Sequence, residues 1–117
     1  MTRPVITRTR AEVYRLWIDA LGSDRYSHTG GQLTKDGRFC CLGVLCDLAA
    51  RDGGPEWDGR DYMGCSRILP DVICAFMGLH PHDVGRLITL NDSSSDNFPI
   101  VASHIENNIM PKVLGRP

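Results

Sequence analysis

Long apolar runs, a dominant charge and paired cysteine motifs are all missing from this sequence. No apolar run approaches the roughly 20 residues that a membrane-spanning helix needs, and the N-terminus lacks the apolar core of a secretory signal. Thirteen basic against fourteen acidic residues give a formal charge of −1, which offers no general attraction for nucleic acid. We therefore expect a cytoplasmic protein without membrane contact, and the charge balance argues against a nucleic-acid partner.

The cysteine pattern excludes two further classes of protein. Five cysteines is an odd number and two of them are adjacent, which argues against the disulfide framework of a secreted domain and for reduced, mostly buried thiols. Cysteine and histidine residues are numerous enough to bind zinc, but no Cys-x-x-Cys pair and no His-x3-His spacing occurs. We predict no metal site and no other cofactor.

The length of 117 residues, with 42% hydrophobic and 23% charged residues, is typical of one compact globular domain. No internal repeat and no linker divides it. We expect a single domain over residues 1–117 with an ordered core at about 9–110.

Three local patterns predict the first half of the fold. Thr9-Arg10-Ala11-Glu12 matches a capping box, and the apolar spacing that follows predicts a helix over about 10–21, ended by Gly22 in the left-handed conformation. Asp36-Gly37 is a favoured pair for a tight hairpin turn. From Cys41 to Ala50 apolar residues lie on nearly every side, which predicts a buried central helix. Within it, Gly43 indicates a close approach by another backbone or by a ligand.

The second half of the sequence is predicted to form further helices. Pro70 begins one, and His80-Pro81-His82-Asp83 begins another, with a strand through Leu87–Leu90 as the alternative. A polar connection over Asn91–Asn97 precedes a last helix, capped by Asp96 or Asn97 and ended by Pro111. The predicted fold is mainly α (α+β): a compact bundle of four to five helices around a buried central helix, with a small β-hairpin.

Several of these segments resemble a known family. They are Asp36-Gly37-Arg38-Phe39-Cys40-Cys41-Leu42-Gly43-Val44-Leu45-Cys46-Asp47, Leu69-Pro70-Asp71-Val72, Gly78-Leu79 and Leu90-Asn91-Asp92. The chain resembles, over most of residues 14–109, a family of small proteins of unknown function from bacteriophages, prophages and actinobacteria. This resemblance implies a phage-like origin, and for a phage protein the cytoplasm of the host cell, but it implies little about mechanism.

Cys40 and Cys41 are the candidate nucleophiles. A thiol in the first turn of a helix lies at the positive end of the helix dipole, which can lower its pKa. His28 and His104 are the candidate bases, and Asn91 or Asp92 could orient the histidine. No thiol-enzyme motif surrounds the cysteines, however, and buried cysteines that act as small hydrophobes are the simpler interpretation.

Tyr26, Cys40, Asn91 and Asp92 are the candidate ligand-binding residues. Asp92 could accept hydrogen bonds from a ligand beside the start of the central helix. The structural alternative is that Asn91 and Asp92 only shape the end of a helix and a turn. Tyr26, with Trp57 and Tyr62, would form a stacking wall or else pack on the core.

The leading hypothesis is a phage-derived accessory protein without catalytic activity. It would bind a host protein or a small, nucleotide-like ligand. The alternatives are a thiol-dependent hydrolase or transferase that uses Cys40 or Cys41, and a structural or assembly protein. A homo-oligomer is left open.

Overall fold

The architecture is given by a computed structural model, which describes residues 8–23, 25–93 and 98–115. Its elements are α1 (Arg10–Leu21), β1 (Thr34–Lys35), β2 (Arg38–Phe39), α2 (Cys41–Arg51), α3 (Asp71–Met77), α4 (Pro81–Asp92), α5 (Phe98–His104), a π-helical turn (Ile105–Ile109) and α6 (Met110–Val113). The predicted mainly α fold with a small hairpin is confirmed. Within the described ranges, no helix is both long enough and apolar enough to cross a membrane.

Helix α1 begins and ends where the sequence predicts. The side chain of Thr9 accepts from the backbone of Glu12, and the Glu12 carboxylate accepts from the Thr9 backbone at 3.0 Å, so the capping box is formed. The stop at Gly22 differs from the prediction, because its φ of −85° is right-handed. The Gly22 N–H donates to the Ile18 carbonyl at 3.0 Å, and the Ser23 N–H donates to the Ala20 carbonyl at 3.2 Å. Trp17, fully buried, anchors the helix to α2 by donating to the Cys41 carbonyl at 2.9 Å.

The hairpin turn has the conformation that its residues favour. Asp36 and Gly37 have φ of 52° and 79°, as a type I′ turn requires. The strands pair antiparallel, with Thr34 opposite Phe39. Phe39 also exchanges backbone hydrogen bonds with Ser27 and Thr29, so the preceding loop is held along the outer side of β2.

Helix α2 is the buried centre of the fold. Every residue from Cys41 to Cys46 is buried, and the helix packs against α1, α4 and β2. A Cβ atom added at Gly43 would overlap the carbonyl oxygen of Leu33. The predicted close approach at Gly43 is therefore confirmed, and the neighbour is the backbone that leads into the hairpin.

Helix α4 extends further than the sequence predicts. It continues through Asn91 and Asp92 as a helix, so neither the alternative strand over Leu87–Leu90 nor a polar connection beginning at Asn91 is correct. The reason is tertiary, because the last turn is held by contacts with the loop before β1. The proposed caps Asp96 and Asn97 lie outside the described residues.

The last helix does not end at Pro111. A π-helical turn joins α5 to α6, and Pro111 lies in the first turn of α6. Proline is tolerated there because its missing N–H is not needed at the start of a helical turn. The chain therefore remains helical to Val113.

Candidate functional site

A thiol caps the start of α2. Cys40 is the N-cap residue, with extended backbone (φ −84°, ψ 172°), and its Sγ accepts from the Gly43 N–H at 3.3 Å. Its own N–H donates to the Leu33 carbonyl at 3.0 Å. Cysteine therefore occupies the position that serine, threonine, aspartate or asparagine usually fills.

Burial determines the acidity of the two thiols. It raises the pKa of Cys40 to about 11, and the hydrogen bonds from the Gly43 and Leu42 backbone only partly oppose it. Burial also raises the pKa of Cys41 well above its ordinary value. The expectation that the helix dipole lowers a thiol pKa here is wrong, because desolvation of the thiolate outweighs the dipole. Both groups are protonated at neutral pH.

Neither candidate base is paired with a thiol. His28 Nε2 lies 2.7 Å from the Asn91 carbonyl oxygen, and its ring packs edge-on against Phe98. His104 lies on α5, where its Nδ1 is 3.2 Å from the side-chain nitrogen of Asn108. In residues 8–23, 25–93 and 98–115, no histidine hydrogen-bonds to Cys40 or Cys41. The structure does not bring these residues together as a nucleophile and its base.

The side chain of Asn91 links the end of α4 to the start of α2 and to the loop before β1. Its Oδ1 accepts from the Cys41 N–H at 2.9 Å, at the start of α2. Its Nδ2 donates to the Thr29 carbonyl at 3.0 Å and to Asp92 Oδ1 at 2.9 Å. The side chain is buried, with 1% exposure, and both of its N–H groups are used. Asn91 therefore has a structural role, and it holds the end of α4 against the start of α2.

Only one of the two carboxylate oxygens of Asp92 is hydrogen-bonded within the described residues. Oδ1 accepts from Asn91 Nδ2 and from the Gly31 N–H at 3.3 Å. Oδ2 has no hydrogen bond to any residue of the described chain. Gly30 is packed close to this carboxylate, since a Cβ there would lie 2.9 Å from Oδ1. The carboxylate is thus oriented by its surroundings and still has an acceptor available.

A cavity of about 320 Å³ opens beside this carboxylate. This volume is at the small end of the range for ligand pockets. The cavity lies between the start of α2, the end of α4 and the loop before α3. Its apolar wall is formed by Cys40, Cys41, Leu42, Ile68 and Ile88. Its polar groups come from Gly31, Gln32, Arg67, Asn91 and Asp92. Three of the four predicted ligand-binding residues therefore share one cavity.

The fourth predicted residue, Tyr26, lies elsewhere. Its hydroxyl donates to Asp47 at 2.7 Å, and its ring packs against Phe39. Trp57 also donates to Asp47, at 3.1 Å, and Arg51 donates at 2.8 Å. Burial acts to raise the pKa of Asp47, but these three hydrogen bonds and the Arg51 charge leave it below its ordinary value. Tyr26 belongs to this second cluster, and it does not line the cavity.

The predicted stacking wall is a packed aromatic cluster. The Trp57 ring lies 5.1 Å from Tyr62 and 5.9 Å from Phe39. Tyr62 is fully buried, and within the described ranges its hydroxyl is the buried side-chain atom without a hydrogen-bond partner. These rings pack on the core, which was the second of the two interpretations of the sequence.

No metal centre is formed by the part of the chain that the structure describes, since no group of three or more His, Cys, Asp or Glu side chains converges there. His80 caps α4 by accepting from the His82 N–H.

Two contributors to the sites were not identified from the sequence. Arg67 lines the cavity although it lies in a long irregular loop, and no local pattern marks it. Asp47 lies four residues before Arg51 on α2, a spacing that could have indicated their ion pair. Its bonds to Tyr26 and Trp57 join separate loops, so only the tertiary structure reveals them.

The model of a family described as a domain of unknown function (DUF8296) matches residues 9–110. No curated protein and no solved structure shows significant similarity to the chain.

Proposed function

Because this chain belongs to the DUF8296 family, whose function is unknown, we propose a function from the site itself: it binds a small ligand in the cavity between α2 and α4 and catalyses no reaction on it. The cysteine-rich and Leu-Asn-Asp segments resemble those of phage and actinobacterial proteins. We therefore place the activity in the cytoplasm of a bacterial host, as that of an accessory protein.

The observation that carries this proposal is the carboxylate of Asp92. Two donors fix Oδ1, and Oδ2 has no hydrogen bond to the described chain. A carboxylate that is held in place and only half used is pre-organised for a donor group of a ligand. It stands at the edge of an apolar cavity, which is the usual composition of a small-molecule site: apolar walls with a few placed polar groups.

The thiols support binding better than catalysis. A cysteine nucleophile reacts as the thiolate, whereas the pKa of Cys40, at about 11, keeps it protonated. No hydrogen bond joins either thiol to His28 or His104 among the described residues. A thiol-dependent hydrolase or transferase therefore remains the weaker alternative, and the thiols serve as part of the apolar wall.

Titration with fragments, followed by protein NMR, tests the proposal. The probes are small aromatic and aliphatic compounds in neutral, cationic, anionic and zwitterionic forms. We expect at least one of these charge classes to give saturable shifts of the Cys41, Leu42 and Asn91 amide signals, because these residues border the cavity.

A matched pair of variants assigns the shifts to the cavity. Ile68 lines the cavity and is 54% exposed, whereas Ile100 is 56% exposed and lies on α5, away from the cavity. Ile68→Trp should fill the space and abolish binding, and Ile100→Trp should leave binding unchanged. If no charge class binds, or if the same shifts persist in Ile68→Trp, the protein does not use this cavity.

A further inference from the structure

The cavity carries two opposite charges that do not neutralise each other. Arg67 and Asp92 both line it, yet they form no ion pair, which requires an approach within 4.0 Å. The Arg67 guanidinium has no hydrogen bond or ion pair with any described residue. Asp92 keeps Oδ2 unengaged as well. Two exposed residues of opposite charge therefore line one small cavity. Among the described residues, the Arg67 guanidinium and one oxygen of Asp92 have no hydrogen-bond partner.

Apart from Gln32 and Asn91, the side chains that line the rest of the cavity are apolar. Leu42 and Ile88 are contributed by α2 and α4, and Ile68 lies next to Arg67 in the loop before α3. A ligand that uses the whole cavity therefore needs a cationic donor for Asp92, an anionic acceptor for Arg67 and an apolar body. Guanidinium groups bind carboxylates with two parallel hydrogen bonds, so a carboxylate suits Arg67.

We propose that the ligand is a small zwitterion with an apolar body, of which a free α-amino acid with an aliphatic or aromatic side chain is the simplest. Its ammonium group bonds to Oδ2 of Asp92, its carboxylate bonds to Arg67, and its side chain packs on Leu42, Ile68 and Ile88. This inference rests on the proposed function, since it names the class of ligand for the same cavity.

The charges that line the cavity favour a zwitterion over a nucleotide. One arginine and one aspartate sum to zero, so a ligand of zero net charge leaves no charge unpaired. The phosphate of a nucleotide would bring extra negative charge close to the Asp92 carboxylate, which is unfavourable at short range.

Calorimetric titration with related probes tests the inference. Phenylalanine carries both charges, phenethylamine lacks the carboxylate, 3-phenylpropanoate lacks the ammonium group, and adenosine monophosphate represents nucleotides. We expect phenylalanine to bind at least about tenfold more tightly than each of the other three, because each single-charge analogue loses one charge-assisted hydrogen bond.

Variants then assign each charge to its partner. Asp92→Asn should weaken phenylalanine and phenethylamine about tenfold and leave 3-phenylpropanoate unchanged. Arg67→Gln should weaken phenylalanine and 3-phenylpropanoate and leave phenethylamine unchanged. Asp58→Asn and Arg60→Gln alter exposed charges of the same loop region outside the cavity, so they should change none of the affinities.

The outcomes distinguish a failure of the zwitterion inference from a failure of the proposed function. If one-charge analogues or adenosine monophosphate bind in the cavity as tightly as phenylalanine, the zwitterion is wrong and ligand binding at the cavity stands. The same holds if Asp92→Asn and Arg67→Gln affect all probes equally. If neither these probes nor the fragment panel bind, the proposed function is wrong and the inference is lost with it.

Discussion

The two ends of α2 each have an aspartate nearby, and the two carboxylates are used differently. Asp47, toward the C-terminal end, accepts from Tyr26, Arg51 and Trp57. Asp92, beside the N-terminal end, has one oxygen bound by Asn91 and Gly31, and its other oxygen has no hydrogen bond within the described part of the chain. The described residues thus provide donors for both oxygens of Asp47 but for only one oxygen of Asp92.

This difference indicates which cluster is structural and which is a candidate site. The Asp47 cluster joins a loop, a helix and the aromatic rings of the core, and both oxygens of Asp47 accept hydrogen bonds from the protein. The cluster at the other end also contains a structural residue, Asn91, whose side chain contacts both Asp92 and the start of α2 beside the cavity. An oriented carboxylate at the edge of an apolar cavity has the arrangement of the placed polar groups in small-molecule sites.

The largest expected effect is a loss of stability when the close packing at the N-terminal end of α2 is disturbed. Gly43→Ala should lower the free energy of unfolding by more than about 3 kcal/mol, because the methyl group would overlap the backbone oxygen of Leu33. Gly85→Ala is the matched control, since Gly85 is also inside a helix and has nothing within 4 Å of the added Cβ. It should stabilise by about 0.5–1 kcal/mol.

Urea denaturation of both variants measures this difference. If Gly43→Ala proves as stable as the parent protein, the hairpin backbone does not press on α2, and the geometry of the cavity wall has to be revised.

A smaller effect compares the two aspartates directly. Asp47→Asn should lower the free energy of unfolding by about 1–2 kcal/mol, because hydrogen bonds to a charged acceptor are replaced by weaker ones. Asp92→Asn retains its Oδ1 acceptor and should change stability by less than about 1 kcal/mol. Asp47→Asn should leave ligand binding unaffected, whereas Asp92→Asn should impair it.

The pH dependence of stability gives a further test of Asp47. Because its pKa is lowered in the folded protein, its ionised form contributes stability above the unfolded value of about 3.9. That contribution is lost as the pH falls through the lower folded pKa. The stability difference between the parent and Asp47→Asn should therefore be constant near neutral pH and decrease below about pH 4. A difference that grew in acid would contradict the proposed hydrogen bonds.

The smallest effect concerns the thiols of α2. Cys40, Cys41 and Cys46 are buried, and burial raises the pKa of each. Labelling with a thiol reagent at pH 7 should therefore be far slower at these three positions than in the urea-unfolded chain, and the half-buried Cys65 should react before them. Mass spectrometry of digested protein locates the label. Rapid labelling of Cys40 or Cys41 alone would instead support a thiol enzyme.

Local patterns predicted most of the elements, and particular residues show why. The capping box at Thr9 and Glu12 and the turn at Asp36-Gly37 depend on hydrogen bonds and backbone angles among neighbours. The predicted end of α4 was less accurate, since the helix continues through Asn91 and Asp92. A run of polar residues resembles a loop when the distant residues that hydrogen-bond to it are not known. Pro111 was misassigned for a similar reason, since the preceding π-helical turn is not visible in the pattern.

The candidate site was only partly predictable. Cys40, Asn91 and Asp92 could be selected as polar or reactive residues beside a helix terminus. The sequence could not show that Tyr26 bonds to Asp47 instead, or that Arg67 borders the same cavity. It also suggested a lowered thiol pKa, because the helix dipole is a local property whereas desolvation depends on everything packed around the thiol.

The sequence alone determined the capped first helix, the hairpin turn and the apolar central helix, since each follows from interactions within a few residues. The tertiary structure decided which polar groups would be satisfied. Asn91 hydrogen-bonds to residues that lie 50 and 62 positions away. Among the residues that the structure describes, one Asp92 oxygen is bound while the other is not. Such contacts depend on how distant segments pack, and they distinguish a structural carboxylate at one end of α2 from a candidate binding carboxylate at the other.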